Sequence, residues 1–323
     1  MVQLASVKEL TDDFGIWQHA RDAAPERDEG YALDDATRAI ILYLLTDTND
    51  QASTLLNYLA ASYKDDQWRG FASANRYFLN ATASEDAIGQ VVWAAALAEK
   101  RGFEPAMAKH IYQQAKTALG KAHYLRGSAY ALLGATYVDA AWAHELAADI
   151  TRRFAATTPE WPWPEQLLNY ANGIIPLSLL RYGRLNQDKA AIDLGHKTLD
   201  FIDHVCHLNQ AFGPIGNKGW FEAGMAHPAQ FGQQPIDAAY MVWAYVAAYE
   251  QSNNKAYLKK AEEWLSWFHG NNVAQATIGD PHTGLCLDGI DGPKKVRPSR
   301  NSGAESRVCY GLALWAIERR QSF

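Results

Sequence analysis

Carboxylates recur in this sequence at the points where an apolar stretch is about to begin. Asp34-Asp35 precede ATRAIILYLL, Glu85-Asp86 precede AIGQVVWAAALA, Glu165 precedes QLLNYANGIIPLSLL, Asp237 precedes AAYMVWAYVAAY and Glu305 precedes SRVCYGLALWA. Two carboxyl groups facing each other across a cleft are the equipment of glycoside hydrolysis. One is protonated and releases the leaving oxygen; the other is ionised and acts as base or nucleophile. Glu305 and Asp237 lead the candidates, because each ends a compact polar motif (NSGAES and QQPID) before an uncharged helical body. Asp35, Asp86 and Glu165 complete the expected catalytic set. Burial at such a boundary raises a carboxyl pKa and a helix N-terminus lowers it, so the fold decides which effect wins.

Groups suited to holding a sugar accompany these acids. Tyr31, Asp34, His123, Arg126, Trp163, Asn169, Asn217, Trp220, Gln233, Gln234 and Asn301 form the expected binding set. Amides and carboxylates bond hydroxyl groups, and aromatic faces stack on the C–H faces of sugar rings. Two long connections feed the same region. Residues 207–234 hold Phe212, Trp220, Phe221 and Phe231 beside Asn217, His227 and Gln230, and residues 270–302 hold Asp280, Asp288 and Asp291. Loops this long in a compact chain are usually functional. The same residues suit a second chemistry, in which a Tyr or His abstracts a proton beside a uronate carboxylate held by Arg126 or Asn169, as in a lyase or epimerase.

Other chemistries find no motif. HExxH, CxxC, Walker and GxGxxG patterns are absent, as is the GxSxG context of a serine nucleophile. Asp280, His282, Asp288 and Asp291 lack a recognised ligand spacing, so neither a metal nor a cofactor is expected.

The elements that must position these groups are helical, and they alternate in character. Helices are expected near 34–47, 50–63, 86–100, 104–119, 124–139, 141–155, 165–182, 186–206, 235–251, 254–269 and 303–319. The odd-numbered ones are nearly charge-free, and a helix apolar all round must be enclosed by others. The even-numbered ones are amphipathic, as in 254–269, where Tyr257, Leu258, Ala261, Trp264, Leu265 and Phe268 recur at helical spacing. Buried and half-exposed helices in alternation predict an all-α (α/α)6 toroid, an inner ring of apolar helices enclosed by amphipathic outer ones. Residues 4–20 would supply the missing outer helix, and residues 1–323 form one domain with segment 1–30 packed against the ring. Parallel inner helices would open all six N-termini at one mouth. Asp, Ser and Asn at helix starts also act as caps, but capping needs one small polar residue, not QQPID or GAES.

Composition sets outer bounds. A hydrophobic share of 48% excludes a disordered chain, and a net charge of −6 argues against a nucleic-acid partner. Lys294, Lys295, Arg297 and Arg300 read as a solvated loop. No apolar run reaches the ~18–20 residues of a membrane helix, and MVQLASVKEL lacks the pattern of a signal peptide. With Cys206, Cys286 and Cys309 in no redox spacing, a cytoplasmic protein without membrane contacts is expected. The 11 Trp and 16 Tyr serve core packing first and sugar stacking second.

Several segments together resemble a known family. TDDFGIWQHA (11–20), GYALDDATRA (30–39), SEDAIGQVVWA (84–94), FGPIGNKGW (212–220), QQPIDAAY (233–240) and the stretch from WFHGNN through HTGLCLDG to NSGAES (267–306) are similar to a six-hairpin glycosidase-like domain. That domain occurs alone or at the C-terminal end of bacterial glycosyltransferases of the two-Rossmann type. The resemblance runs in order along nearly the whole chain and implies the (α/α)6 fold and a saccharide-related role, with an oligosaccharide or polysaccharide as partner. It carries no catalytic assignment. Only the helical domain is present in this sequence, which implies no transferase activity of its own. A non-catalytic glycan-binding domain serving a glycosyltransferase on another chain stays open. SEDAIGQ departs from the family pattern, which continues Gly-Arg; Gln90 stands at the Arg place, implying an altered preference if that Arg binds an anionic group.

Overall fold

Charge-free helices can be stable only when neighbours cover every face, and the chain solves this by closing a ring. A computed structural model describes residues 2–209 and 211–319. Its helices are α1 (Ala5–Lys8), α2 (Leu33–Leu45), α3 (Asn49–Ser62), α4 (Glu85–Lys100), α5 (Pro105–Leu119), α6 (Leu125–Val138), α7 (Ala140–Phe154), α8 (Ile174–Asn186), α9 (Lys189–Cys206), α10 (Pro235–Ser252), α11 (Lys255–Ser266) and α12 (Ala304–Arg319). The even-numbered helices α2 to α12 each pack on the next, and α12 returns to α2. Helices α3, α5, α7, α9 and α11 lie outside as hairpin partners. Every residue of α10 from Pro235 to Ala248 is buried, whereas its partner α11 buries only Ala261 and Trp264.

The tightest pairing within the ring joins α4 to α6. A Cβ at Gly89 would sit 2.5 Å from the Gly127 carbonyl oxygen, and one at Gly134 would sit 2.8 Å from the Trp93 Cα. Any side chain at either place would push the helices apart.

Two expectations change. The helix expected over 165–182 begins at Ile174; before it, Leu167–Leu168 pair antiparallel to Phe221–Glu222 and residues 170–173 turn, with Ala171 at φ 50°. Pro176 marks the true start, since proline is tolerated in a first turn where no N–H bond is required. The outer helix expected over 4–20 shrinks to the single turn of α1. The Asp12 side chain accepts from the N–H groups of Phe14 and Gly15 at 2.8 and 2.9 Å, bending the chain into a turn. Short bridges then run through Thr11–Ile16, Trp17–Tyr31 and Arg21–Asn301.

This segment seals the ring. Arg307 of α12 is fully buried and donates to the carbonyls of Ser6 at 2.6 Å, Ala23 at 2.9 Å and Ser302 at 2.8 Å. At the far end of the same seam, the Trp315 indole donates to the Leu45 carbonyl at 3.0 Å.

Candidate active site

Side-chain caps are commoner on the outer helices, although α3 and α5 lack one. Asp139, Asp188 and Asn254 cap α7, α9 and α11 with their own side chains. Among the inner helices α2, α4, α6, α8 and α10, only α4 is capped in this way, by Ser84. Carboxylates at the mouth instead reach to a neighbouring helix start. Glu85 accepts from the N–H groups of His123 and Tyr124, at 2.7 and 2.9 Å, just before α6. Asp237 accepts from Ala171 N–H at 2.6 Å, shortly before α8. Asp288 accepts from Gly303 N–H at 2.7 Å and from the Ser306 hydroxyl at 2.6 Å, at the start of α12. These bonds lace the ring together at its mouth. Burial raises the Glu85 pKa, but the two backbone donors and His123 outweigh it and hold the group low.

Two arginine-centred clusters occupy the mouth. In the first, Arg38 extends from the second turn of α2. Its guanidinium meets Asp35 at 2.8 Å, Asp34 at 2.7 Å and Glu305 of α12 at 2.9 Å. One cation thus faces three carboxyl groups. Burial and the neighbouring Asp34 push Asp35 up; burial raises Glu305 against the opposing pull of Arg38. Asp35 is buried, while the Glu305 side chain keeps 32% of its surface.

In the second, Arg126 of α6 donates to the Tyr170 carbonyl at 2.6 Å, to Glu165 at 3.1 Å and to Asn172 at 2.8 Å, under the Tyr170 ring. The Tyr170 hydroxyl donates to Asp86 of α4 at 2.5 Å. Burial raises Asp86 despite that bond. Ser84, Glu85, Asp86, Tyr124, Arg126, Glu165, Asn169 and Tyr170 line an open cleft of about 480 Å³, and the Trp220 ring lies 6.3 Å from that of Tyr170.

The expected residues thus fall into groups. Asp34, Asp35 and Glu305 converge on Arg38. Asp86, Glu165, Asn169 and Arg126 converge on the cleft, with Trp220 near it and His123 exposed beside it on Glu85 at 2.7 Å. Asp237 lies beneath the mouth, 6% exposed and pushed up to about 8 by burial. Gln234 is the half-buried residue before α10 and makes no cap bond. Other residues belong to the scaffold. Tyr31 is fully buried, stacked on Trp17 and donating to Asp12 at 2.8 Å. Trp163 is buried against Phe154, and Gln233 accepts from the Trp267 indole at 2.9 Å. Asn217 is exposed, its backbone bonded to Gly232, and Asn301 is held through its backbone beside Arg21 and Asp288. Asp280 closes its own turn through His282 N–H and the Thr283 hydroxyl. Gln90 is buried and accepts from Thr37 at 3.2 Å.

Arg38 was the residue hidden in plain view. Its signal was an arginine three and four places after paired aspartates in an otherwise uncharged helix, a spacing that puts all three on one face.

No protein-family model matches the chain, and no curated protein does. Solved structures match throughout. Cellobiose 2-epimerase from Bacillus thermoamylovorans superposes with a TM-score of 0.72 at 10% identity, over 100% of this chain and 96% of the other. A D-mannose isomerase gives 0.71 at 14% identity, over 98% and 95%. An α-mannanase of Bacteroides thetaiotaomicron gives 0.61 at 11% identity, over 99% and 94%. The chain has the (α/α)6 glycosidase-like toroid fold. Among the described residues no helix is long and apolar enough to cross a membrane.

Proposed function

We propose that this (α/α)6 protein acts on an oligosaccharide at the mouth where the inner helices begin, and that its reaction is glycoside hydrolysis. The enzymes that share its fold process sugars by hydrolysis and by epimerisation, so the fold supports sugar chemistry without choosing between them. One observation favours hydrolysis. Apart from the two arginines and Tyr170, the titratable side chains bonded within the two clusters are carboxyl groups, whereas epimerisation needs a base on each face of a carbon, a task given most often to imidazole. His123 is exposed on Glu85 and belongs to neither cluster, and His19 acts on Glu305 through its charge.

In this reading Asp86, bonded to the neutral Tyr170 hydroxyl, is the proton donor, and Glu305, paired with the Arg38 guanidinium, is the base, although burial raises both. Arg38, itself held by Asp35, holds Glu305; Tyr170 holds Asp86. Asn169 and Trp220 offer an amide and a ring to the substrate. Asp237 supports the mouth through its bond to Ala171.

The test is incubation of the wild-type chain with a panel of neutral, amino and uronic oligosaccharides, followed by mass spectrometry and NMR. Fragments whose masses together exceed the substrate by one water are expected, with turnover falling at least about 100-fold in D86N and in E305Q. Products of unchanged mass and altered configuration would replace hydrolysis by epimerisation. Saccharide retained without any change would make the mouth a binding site.

A further inference from the structure

The inner helices end together as well as begin together. At the face opposite the mouth, residues at the ends of all six line a second cavity, of about 260 Å³. By the ~1.5 Å rise per residue of α4, it lies roughly 20 Å from the carboxylates at the mouth. Its lining sets five cations, Lys100, Arg101, Arg181, Arg184 and Arg319, against one carboxylate, Glu250, with leucines of α2, α4, α6 and α8 between them. The cavity opens to solvent beside Leu185, which is 66% exposed. Its charge is the reverse of that at the mouth.

Cations near helix C-termini interact favourably with the helix dipole. Here, however, Arg101, Arg181 and Arg184 donate to side chains rather than to the terminal carbonyls. Arg101 meets Asp47 at 2.8 Å, and Arg184 meets Glu250 at 2.9 Å. Arg181 has neutral partners instead. It is half-buried, its guanidinium lies 5.1 Å from the Trp243 ring, and one donor reaches the Tyr137 hydroxyl at 3.4 Å. Among the described residues no carboxylate pairs with it. A guanidinium carries five N–H donors, and a charge withdrawn from water calls for a counter-charge. An anion in the cavity would supply one.

We propose that this cavity binds a compact phosphate-bearing anion, with Arg181 as its central contact and Lys100, Arg184 and Arg319 around it. Guanidinium forks engage phosphate oxygens two at a time. A phosphate group also brings about −1.5 to −2 charges at neutral pH, where a carboxylate brings one. The volume lies below the ~300–1,000 Å³ of pockets for drug-sized ligands, so the occupant is small. The site is separate from the mouth and does not depend on the sugar-active reading.

The experiment is titration calorimetry of the wild-type chain at neutral pH with pyrophosphate, inorganic phosphate, glucose 6-phosphate and succinate. One site per chain is expected for the phosphates, weakening as salt rises. R181M should weaken it at least about tenfold. E250Q, which removes the one lining carboxylate and releases Arg184, should tighten it severalfold, a gain that damage to the fold would not produce. Tightest binding of glucose 6-phosphate identifies a phosphorylated sugar as the occupant, and tightest binding of either inorganic anion identifies free phosphate. Succinate binding as tightly as the phosphates overturns the phosphate assignment. The absence of heat from every phosphate at millimolar concentration, or R181M binding as tightly as wild type, overturns the site.

Discussion

Asp237 is a carboxyl group that the fold keeps protonated. The backbone of Ala171, at 2.6 Å, and that of Asn172 favour its ionised form, but burial outweighs them and pushes it up to about 8. In the unfolded chain it ionises near ~4. Between those values the folded protein holds a proton that the unfolded chain has released. Its contribution is therefore greatest at the acid end and is lost as pH rises through the window, by at most about 1.4 kcal/mol per pH unit. D237N keeps the acceptor for Ala171 and removes the titration. The melting temperature of D237N, compared with wild type, is expected to gain steadily from about pH 5 to about pH 8. A difference constant with pH would show that Asp237 ionises normally. At this scale the sequence was only half legible. The acids at the mouth could be picked out because they break uncharged stretches. Whether each caps, pairs or stays protonated depends on what faces it, and Arg126 and Asn172, 46 positions apart, meet only through the ring.

At the scale of elements, the inner helices are set apart by what they omit. Their lack of charge made the ring predictable, and helices α2 through α7 fall within a residue or two of their expected bounds. The failures share a cause. Residues 165–173 and 9–20 are rich enough in apolar side chains to read as helix, but they pair with other segments, and pairing partners are invisible to local periodicity. The glycines of α4 and α6 make the complementary point, since a small residue in a helix reads as weakness and is here the contact surface. Gly134→Ala would gain about 1 kcal/mol of helix propensity and lose roughly 1–3 kcal/mol to overpacking against the Trp93 and Val92 backbone. The variant is expected to be less stable in urea denaturation. An alanine that stabilised the protein would mean that α4 and α6 can separate freely.

The whole molecule is a closed circuit in which one join differs from the rest. Elsewhere successive inner helices pack along the chain; at the seam α12 meets α2, with Arg307 bonded to Ser6 across 301 positions and Trp315 to Leu45 across 270. Arg307→Met would orphan the buried carbonyls of Ser6 and Ser302 and the half-buried one of Ala23, and is expected to cost about 3 kcal/mol or more. Hydrogen exchange should quicken in α1, α2 and α12 while α6 keeps its protection, and uniform loss of protection would show that the ring opens all at once. The same join has a consequence in time. During synthesis the flank of α2 that α12 will cover is made early, and its cover emerges 270 residues later. At ~5–20 residues per second, that leaves the apolar flank without its partner for roughly 15–50 s. In the cell, the seam sets the interval in which the nascent chain is most open to chaperones and to aggregation.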